Sequence, residues 1–275
     1  MTSTTISEPD LSLTTESLGD LAQYAKSEEF KPDKATEWAI EDGDDGWSLS
    51  HLSIRGEIEL LLQSLQALAT HSINERSMMD DWKVESLEAM WKHHRGHIVS
   101  HQTVEDEILQ PALEERFRYP DKAAAGHAEL EGLLTKIDQA LQSVVRDKTR
   151  TSVQNLLTIS FKDYRKAMLE HLHAEEALGV PLLRAYFTQA EFKPIGRTMG
   201  KTGGPPGSFV YFMGEDKFRS DFMKRAGMPS FVWHMVFAPA VQEFRNDFLR
   251  HATALTETNE PPPPPEVTSY SCAVM

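Results

Sequence analysis

Besides His71–Glu75, three histidines in this chain are followed four residues later by a glutamate: His101–Glu105, His127–Glu131 and His171–Glu175, the last with Glu176 beside it. On a helix a four-residue step turns ~40° past a full circle and rises ~6 Å, so each imidazole shares a face with its carboxylate. These faces coincide with apolar stripes, since His101 and Glu105 continue into Ile108 and Ala112, and His127 and Glu131 into Leu134. Charged groups on a buried stripe are costly unless paired or bound to a metal. Repeated pairs aimed at one core call for a common ligand rather than for surface salt bridges.

The depth of these residues along their helices agrees. His51 lies ~20 residues before the first expected turn and His101 ~20 residues after the next helix begins, by the ~1.5 Å rise per residue. His127 and His171 lie ~20 and ~22 residues either side of the third turn on the same scale. The middle turn fits if the second helix ends near Pro111. His51, His101, His127 and His171 then meet the glutamates at one level. Imidazole with carboxylate suits iron, manganese or zinc rather than calcium or magnesium. So many donors exceed what one tetrahedral zinc takes. Two metals bridged by carboxylates, with an open position for a small molecule, is the economical reading. A ferritin-like site would need Glu-x-x-His pairs on two helices, and only Glu170–His173 has that spacing.

The other histidines are expected to play lesser parts. His97, one turn before His101, reads as a core or surface residue sooner than as an orienting partner. His93, His94 and His173 read as exposed, and His234, among Phe231, Val232, Trp233 and Met235, as a core or interface residue. His71–Glu75 repeats the spacing, but along a continuous helix His71 lies ~30 Å from His51. Tyr164 is expected to serve packing.

The elements that must position these groups are helices. Ile54, Ile58, Leu61, Leu65 and Leu68 follow steps of three and four from Ser50 to about Ala69. Similar patterns predict helices over about 82–117, 121–146 and 151–187, with Pro111 and Pro181 disturbing two of them late. Short connections make neighbours antiparallel, so the fold class expected is all-α: an up-down-up-down four-helix bundle with a C-terminal helical extension. The domain reading is an acidic, mostly disordered segment over 1–47 and a metal-binding bundle over 48–189. A loop and helical extension packing on the outside follow over 190–256, then a Pro-rich flexible tail over 257–275.

The set His51, His101–Glu105, His127–Glu131 and His171–Glu175/Glu176 resembles the hemerythrin-like cation-binding family. The phrases VEDEILQPAL from Val104 and HLHAEEALGVPL from His171 are family-like, and the resemblance covers about residues 48–189. It implies a non-haem centre of two iron ions, carboxylate- or oxo-bridged, in a four-helix bundle, with zinc or manganese suiting the same donors. It also implies a small-molecule ligand (oxygen, peroxide or nitric oxide) and a role in iron or redox sensing or handling. Oxygen carriers of the family have His-x-x-x-His in the third helix and His-x-x-x-x-Asp in the fourth. Here Glu131 stands in place of a histidine. The fourth-helix acid is either Glu175, which shares the face of His171, or Glu176, which matches the carriers' spacing. A site richer in carboxylate points away from reversible oxygen carriage and towards sensing or peroxide chemistry. The alternative is an interaction or structural module in which metal merely holds the helices together. Enzyme status is open at this level.

Composition sets the remaining bounds. The 275 residues carry a formal charge of −14, from 42 Asp+Glu against 28 Lys+Arg, which argues against a nucleic-acid partner. Residues 1–50 hold 12 acids and 3 lysines, a composition that solvates rather than folds. The only cysteine, Cys272, excludes a disulfide framework and a cysteine metal site, and the N-terminus lacks the pattern of a signal or transit peptide. Gly200–Gly207 (GKTGGPPG) lacks the spacing of a phosphate loop, and its prolines block the helix such a loop needs. The expected location is cytoplasmic. The ending Cys272-Ala-Val-Met reads as a farnesylation box, presented by the prolines 261–265, which would give weak, reversible membrane association.

Overall fold

A computed structural model describes residues 38–40, 45–70, 78–119, 121–202 and 207–266, with the side chains of 121–125 excepted. His71, Glu75, Cys272, the first 37 residues and the prolines of the glycine-rich loop lie outside the described residues. The fold is all-helical, and no strand occurs among the described residues. None of the described helices is long and apolar enough to cross a membrane.

Helix α1 (Gly46–Thr70) begins one turn earlier than the periodicity suggests. Asp45 causes this: its Oδ1 accepts from the Ser48 amide at 2.9 Å and its Oδ2 from the Ser48 hydroxyl, capping the first turn. Helix α2 spans 81–114, α3 Asp121–Asp147 and α4 150–186, close to the expected bounds. Thr149 caps α4 by accepting from the Ser152 amide. Lys148, in the left-handed region at φ 48°, turns the chain between α3 and α4, and its carbonyl accepts from the Met79 amide at 2.8 Å. The connection before α2 and the connection before α4 therefore lie at the same end of the molecule. Helix α1 packs on α2, α2 on α3, α3 on α4 and α4 on α1.

The prolines do not end α2 or α4. They widen the turns before them. A proline ring clashes with the carbonyl four residues back and offers no N–H. Ahead of Pro111 the Gln110 amide reaches back five residues to Glu105, and ahead of Pro181 the Val180 amide does the same to Glu175. Pro239 follows a third such turn, Trp233–Phe237. Wider turns of this kind often sit at functional sites. Here two of them begin on the glutamates of the His-x-x-x-Glu pairs.

The C-terminal part departs from expectation. Two helices were not foreseen, α5 (Gln189–Thr202) and α6 (Gly207–Met213), followed by α7 over 215–225 and α8 over 233–258. The part of GKTGGPPG up to Thr202 thus closes a helix. In α5, Phe192, Ile195 and Met199 share a face and cover a small apolar cluster. Helix α8 is no outer decoration: Phe244, Phe248, Ala252 and Leu255 join the main core against α1 and α2. Asn259, at φ 51°, ends it, and the proline run turns back along it. The Asn246 side chain donates to the Glu266 carbonyl and accepts from its amide, both at 3.0 Å, and Arg250 donates to the Pro263 carbonyl at 2.7 Å. Residues 261–266 are thereby held to α8 instead of standing clear of it. At the other end, Trp38 donates to the Phe187 carbonyl and Arg184 to that of Ile40, so the acidic lead-in is attached at 38–40.

Candidate metal centre

Two apolar clusters leave a polar layer between them. The larger begins at Ile54 and Ile98 and includes Leu130 and Leu172; the smaller holds Trp47, Leu109 and Val180. His51, His101, Glu105, His127, His171 and Glu175 occupy the layer, all buried or nearly so.

These residues form two groups suited to an ion, each with two histidines and one oxygen from each of two shared carboxylates. The first is His51 and His101 with Glu105 and Glu175, and the second His127 and His171 with the same two glutamates. Glu105 Oε1 lies 3.3 Å from His101 Nε2 and 3.9 Å from His51 Nε2, while its Oε2 lies 3.4 Å from His127 Nε2. Glu175 Oε2 lies 3.3 Å from His51 Nε2, and its Oε1 3.4 Å from His171 Nε2 and 3.9 Å from His127 Nε2. Two donors each ~2.1 Å from one ion lie ~3.0 Å apart at a right angle and ~3.4 Å at the tetrahedral angle. The spacings fit donors arranged round two ions.

The unsatisfied atoms say the same. Nε2 of all four histidines, Glu105 Oε2 and both oxygens of Glu175 are buried without a hydrogen-bond partner. Buried polar groups are nearly always paired, and each orphan costs ~1–3 kcal/mol. A cluster of them facing one another fits cations that would take up their lone pairs.

The residue after each shared glutamate fixes a histidine on another helix. His51 Nδ1–H donates to Glu176 Oε1 at 2.9 Å, and His127 Nδ1–H to Asp106 Oδ1 at 2.6 Å. Each bond fixes the ring so that Nε2 points into the layer and is the nitrogen that ligates once its proton is lost. Glu176 is itself gripped by Arg55 through both oxygens, at 2.6 and 2.9 Å. Trp47, one helical turn before His51, donates its indole N–H to Glu105 Oε1 at 2.7 Å. Two glycines make room: a Cβ on Gly126 would lie 2.6 Å from His171 Nδ1, and one on Gly179 would lie 2.4 Å from the Trp47 ring.

The electrostatics of the metal-free layer follow from crowding. Burial, together with its histidine neighbours, pushes His101 down to about 3 and His171 to about 4. Burial and the nearby Glu105 charge push Glu175 up to about 7. Burial alone would raise Glu105, but His101, His127 and His51 hold it well below the usual carboxylate range. Burial alone would lower His51 and His127, yet their carboxylate partners raise the first well above its ordinary value and the second to about 9. Burial would also raise Glu176, but His51 and Arg55 hold it at about 2. Burial and the charges of Glu175 and Glu105 lift the Tyr119 phenol well above its usual range, so Tyr119 sits within electrostatic reach of both shared carboxylates.

The expected site residues divide accordingly. His51, His101, Glu105, His127, His171 and Glu175 come together. Glu131 does not: it lies at the seam of α2 and α3, 52% exposed, accepting from Arg95 at 2.7 Å. Glu176 is a positioning residue behind His51, not a member of either donor group. His94, expected at the surface, is fully buried, whereas His234, expected in a core or at an interface, is exposed and so not a core residue. His93 and His173 are partly buried. Trp47, Asp106, Gly126 and Tyr119 were missed, although Trp47 precedes His51 by four residues and Asp106 follows Glu105 as Glu176 follows Glu175. No protein family, curated protein or solved structure matches this chain in comparison.

Proposed function

We propose that the chain is a hemerythrin-like protein: α1 to α4 form an up-down-up-down bundle that carries two iron ions and receives oxygen, peroxide or nitric oxide. The observation that carries this reading is the layer of facing, unpartnered imidazole nitrogens and carboxylate oxygens. His51 and His101 would hold one ion, His127 and His171 the other, and Glu105 and Glu175 would bridge them. Bound there, iron would supply one-electron chemistry and open coordination positions for a small ligand.

The chain's own residues do the rest. The apolar clusters on either side keep bulk water from the layer, which strengthens every charge interaction in it. Glu176 and Asp106 keep His51 and His127 in the tautomer that ligates. Trp47 holds Glu105 so that its two oxygens face different histidines. Two histidines per ion, fewer than the oxygen carriers' complement, favour sensing or redox handling over oxygen carriage.

The test is reaction with oxygen. Anaerobically reduced, iron-loaded protein exposed to air should develop ligand-to-iron charge-transfer absorption in the near ultraviolet. A protein that retains only zinc, and stays silent after iron loading, would support the purely structural reading instead.

A further inference from the structure

About two helical turns below the candidate metal layer, Glu57 is a fully buried carboxylate ringed by histidines. Its Oε2 accepts from His94 Nδ1 at 2.7 Å and its Oε1 from His97 Nδ1 at 2.9 Å, with His93 Nε2 3.7 Å away. His94 Nε2 in turn accepts from the Tyr164 hydroxyl at 2.6 Å. His94 is thus satisfied at both nitrogens as a neutral ring, and burial keeps its pKa lowered. An isolated carboxylate cannot stay charged in a core without a cation. His97 is that cation: burial alone would lower it, but Glu57 raises it above its ordinary value, while Glu57 itself is held well below the carboxylate range against burial by His97, His93 and His94.

The far side of His97 opens on a cleft of about 510 Å³ between α2 and α8. Its walls include Lys92, His93, Gly96 and His97 from α2, and Asp247 and Arg250 from α8. Gly96 carries no side chain into this space, and a Cβ there would meet nothing within 4 Å. Lys92 is exposed and in no ion pair among the described residues. The Arg250 guanidinium donates to the neutral carbonyls of Asn246 and Pro263. Asp247 is the one acid among the described residues that line the cleft. In a chain of net charge −14 this is a local excess of positive charge, set in a concave site.

We propose that this cleft binds a small organic anion carrying a carboxylate or phosphate group, with Lys92, Arg250 and His97 Nε2–H as its donors. Arg250 and Lys92 supply charge from opposite walls, and His97, braced from behind by Glu57, supplies a directed N–H at the floor. The site is separate from the candidate metal layer, and the proposal does not depend on what that layer holds.

The experiment is calorimetric titration of the full chain with succinate and, separately, with inorganic phosphate, metal content being measured on the same sample. Saturable binding of either probe with one site per chain, weakened at least ~10-fold in Lys92→Glu and in Arg250→Gln, is expected, with metal content unchanged in both variants. The preferred probe then tells carboxylate from phosphate. His97→Gln, which keeps a donor to Glu57 but removes the charge, should weaken binding and leave the fold intact by circular dichroism. No saturable binding of either probe at millimolar concentration would overturn the proposal. So would binding that Lys92→Glu and Arg250→Gln leave unchanged, or that disappears on removal of metal.

Discussion

Glu105 and Glu175 divide their oxygens between the same two histidine pairs. Glu105 offers Oε1 to His101 and Oε2 to His127, and Glu175 offers Oε2 to His51 and Oε1 to His171. Each is followed by an acid that orients the histidine of another helix, and six residues on by a proline that widens the turn on which it sits. The pattern His-x-x-x-Glu-[Asp/Glu]-x-x-x-x-Pro thus occurs twice, at His101 and His171, while His127–Glu131 lacks the following acid and the proline. The two halves of the layer are built alike.

This sharing makes the carboxylates and the histidines unequal. Glu105→Ala or Glu175→Ala should remove donors from both ions, so the metal content of purified protein falls to near zero. His101→Ala or His171→Ala should chiefly cost one ion. Glu131→Ala should cost none. Elemental analysis of the five variants decides, and loss of metal in Glu131→Ala would contradict the assignment.

The orienting acids act at one remove. Asp106→Asn and Glu176→Gln preserve size but weaken the hold on the Nδ1–H of His127 and His51. Loss of such partners typically costs ~10–100-fold in metal affinity. Competition against a chelator of known affinity should show that loss with the helical content unchanged.

Room for the ligands is set by backbone. In Gly126→Ala the new methyl meets His171, which must move or leave its donor position; a cost of ~1–3 kcal/mol and loss of one ion are expected. Gly132, on the same helix, has nothing within 4 Å of its Cβ position. Gly132→Ala should therefore stabilise the protein by ~0.5–1 kcal/mol, through helix propensity alone. Thermal melts and metal analysis of the two variants separate a packing effect from a general glycine effect.

Protons and metal ions compete for the same lone pairs. Without metal, Glu175 is pushed up to about 7, His127 to about 9 and His51 well above its ordinary value, so below those values all three hold protons that binding must expel. Affinity should therefore rise with pH, by ~10-fold per pH unit for each proton released, and fall as acid is added. Titration in buffers of different ionisation enthalpy counts the protons. A pH-independent affinity between about 6 and 8 would contradict this.

Metal removal exposes the cost of the layer. With its donors left facing one another unpaired, the protein loses the stabilisation of a bound ligand, ~4 kcal/mol at a thousandfold excess over Kd. For a chain of this size that corresponds to a fall in Tm of roughly 8–16 °C, read by calorimetry with and without chelator.

Much of this was legible because helices repeat. The four-residue step of His101–Glu105 and His171–Glu175, and the run Ile54, Ile58, Leu61, Leu65, fix a face without knowledge of the neighbours. What failed needed those neighbours. Glu131 has the right step from His127, but Arg95 across the seam captures it at the edge of the core. His94 stands in a polar run, Lys92 to His97, whose composition hides that one position in it faces Glu57 and Tyr164. Helix α5 carries Pro194 and ends in glycines, so propensity argues against it; the apolar face of Phe192, Ile195 and Met199, covering a cluster distant in sequence, outweighs that. His234 is not in the core, because its apolar surroundings are themselves partly exposed, with Met235 at 70%.

The most direct measurement is anomalous diffraction from crystals of the iron-loaded protein at the iron edge. Two peaks are predicted, one between His51 and His101 and the other between His127 and His171, each contacted by Glu105 and Glu175. A single peak, a peak outside this layer, or Glu131 within bonding distance of an ion would contradict the account.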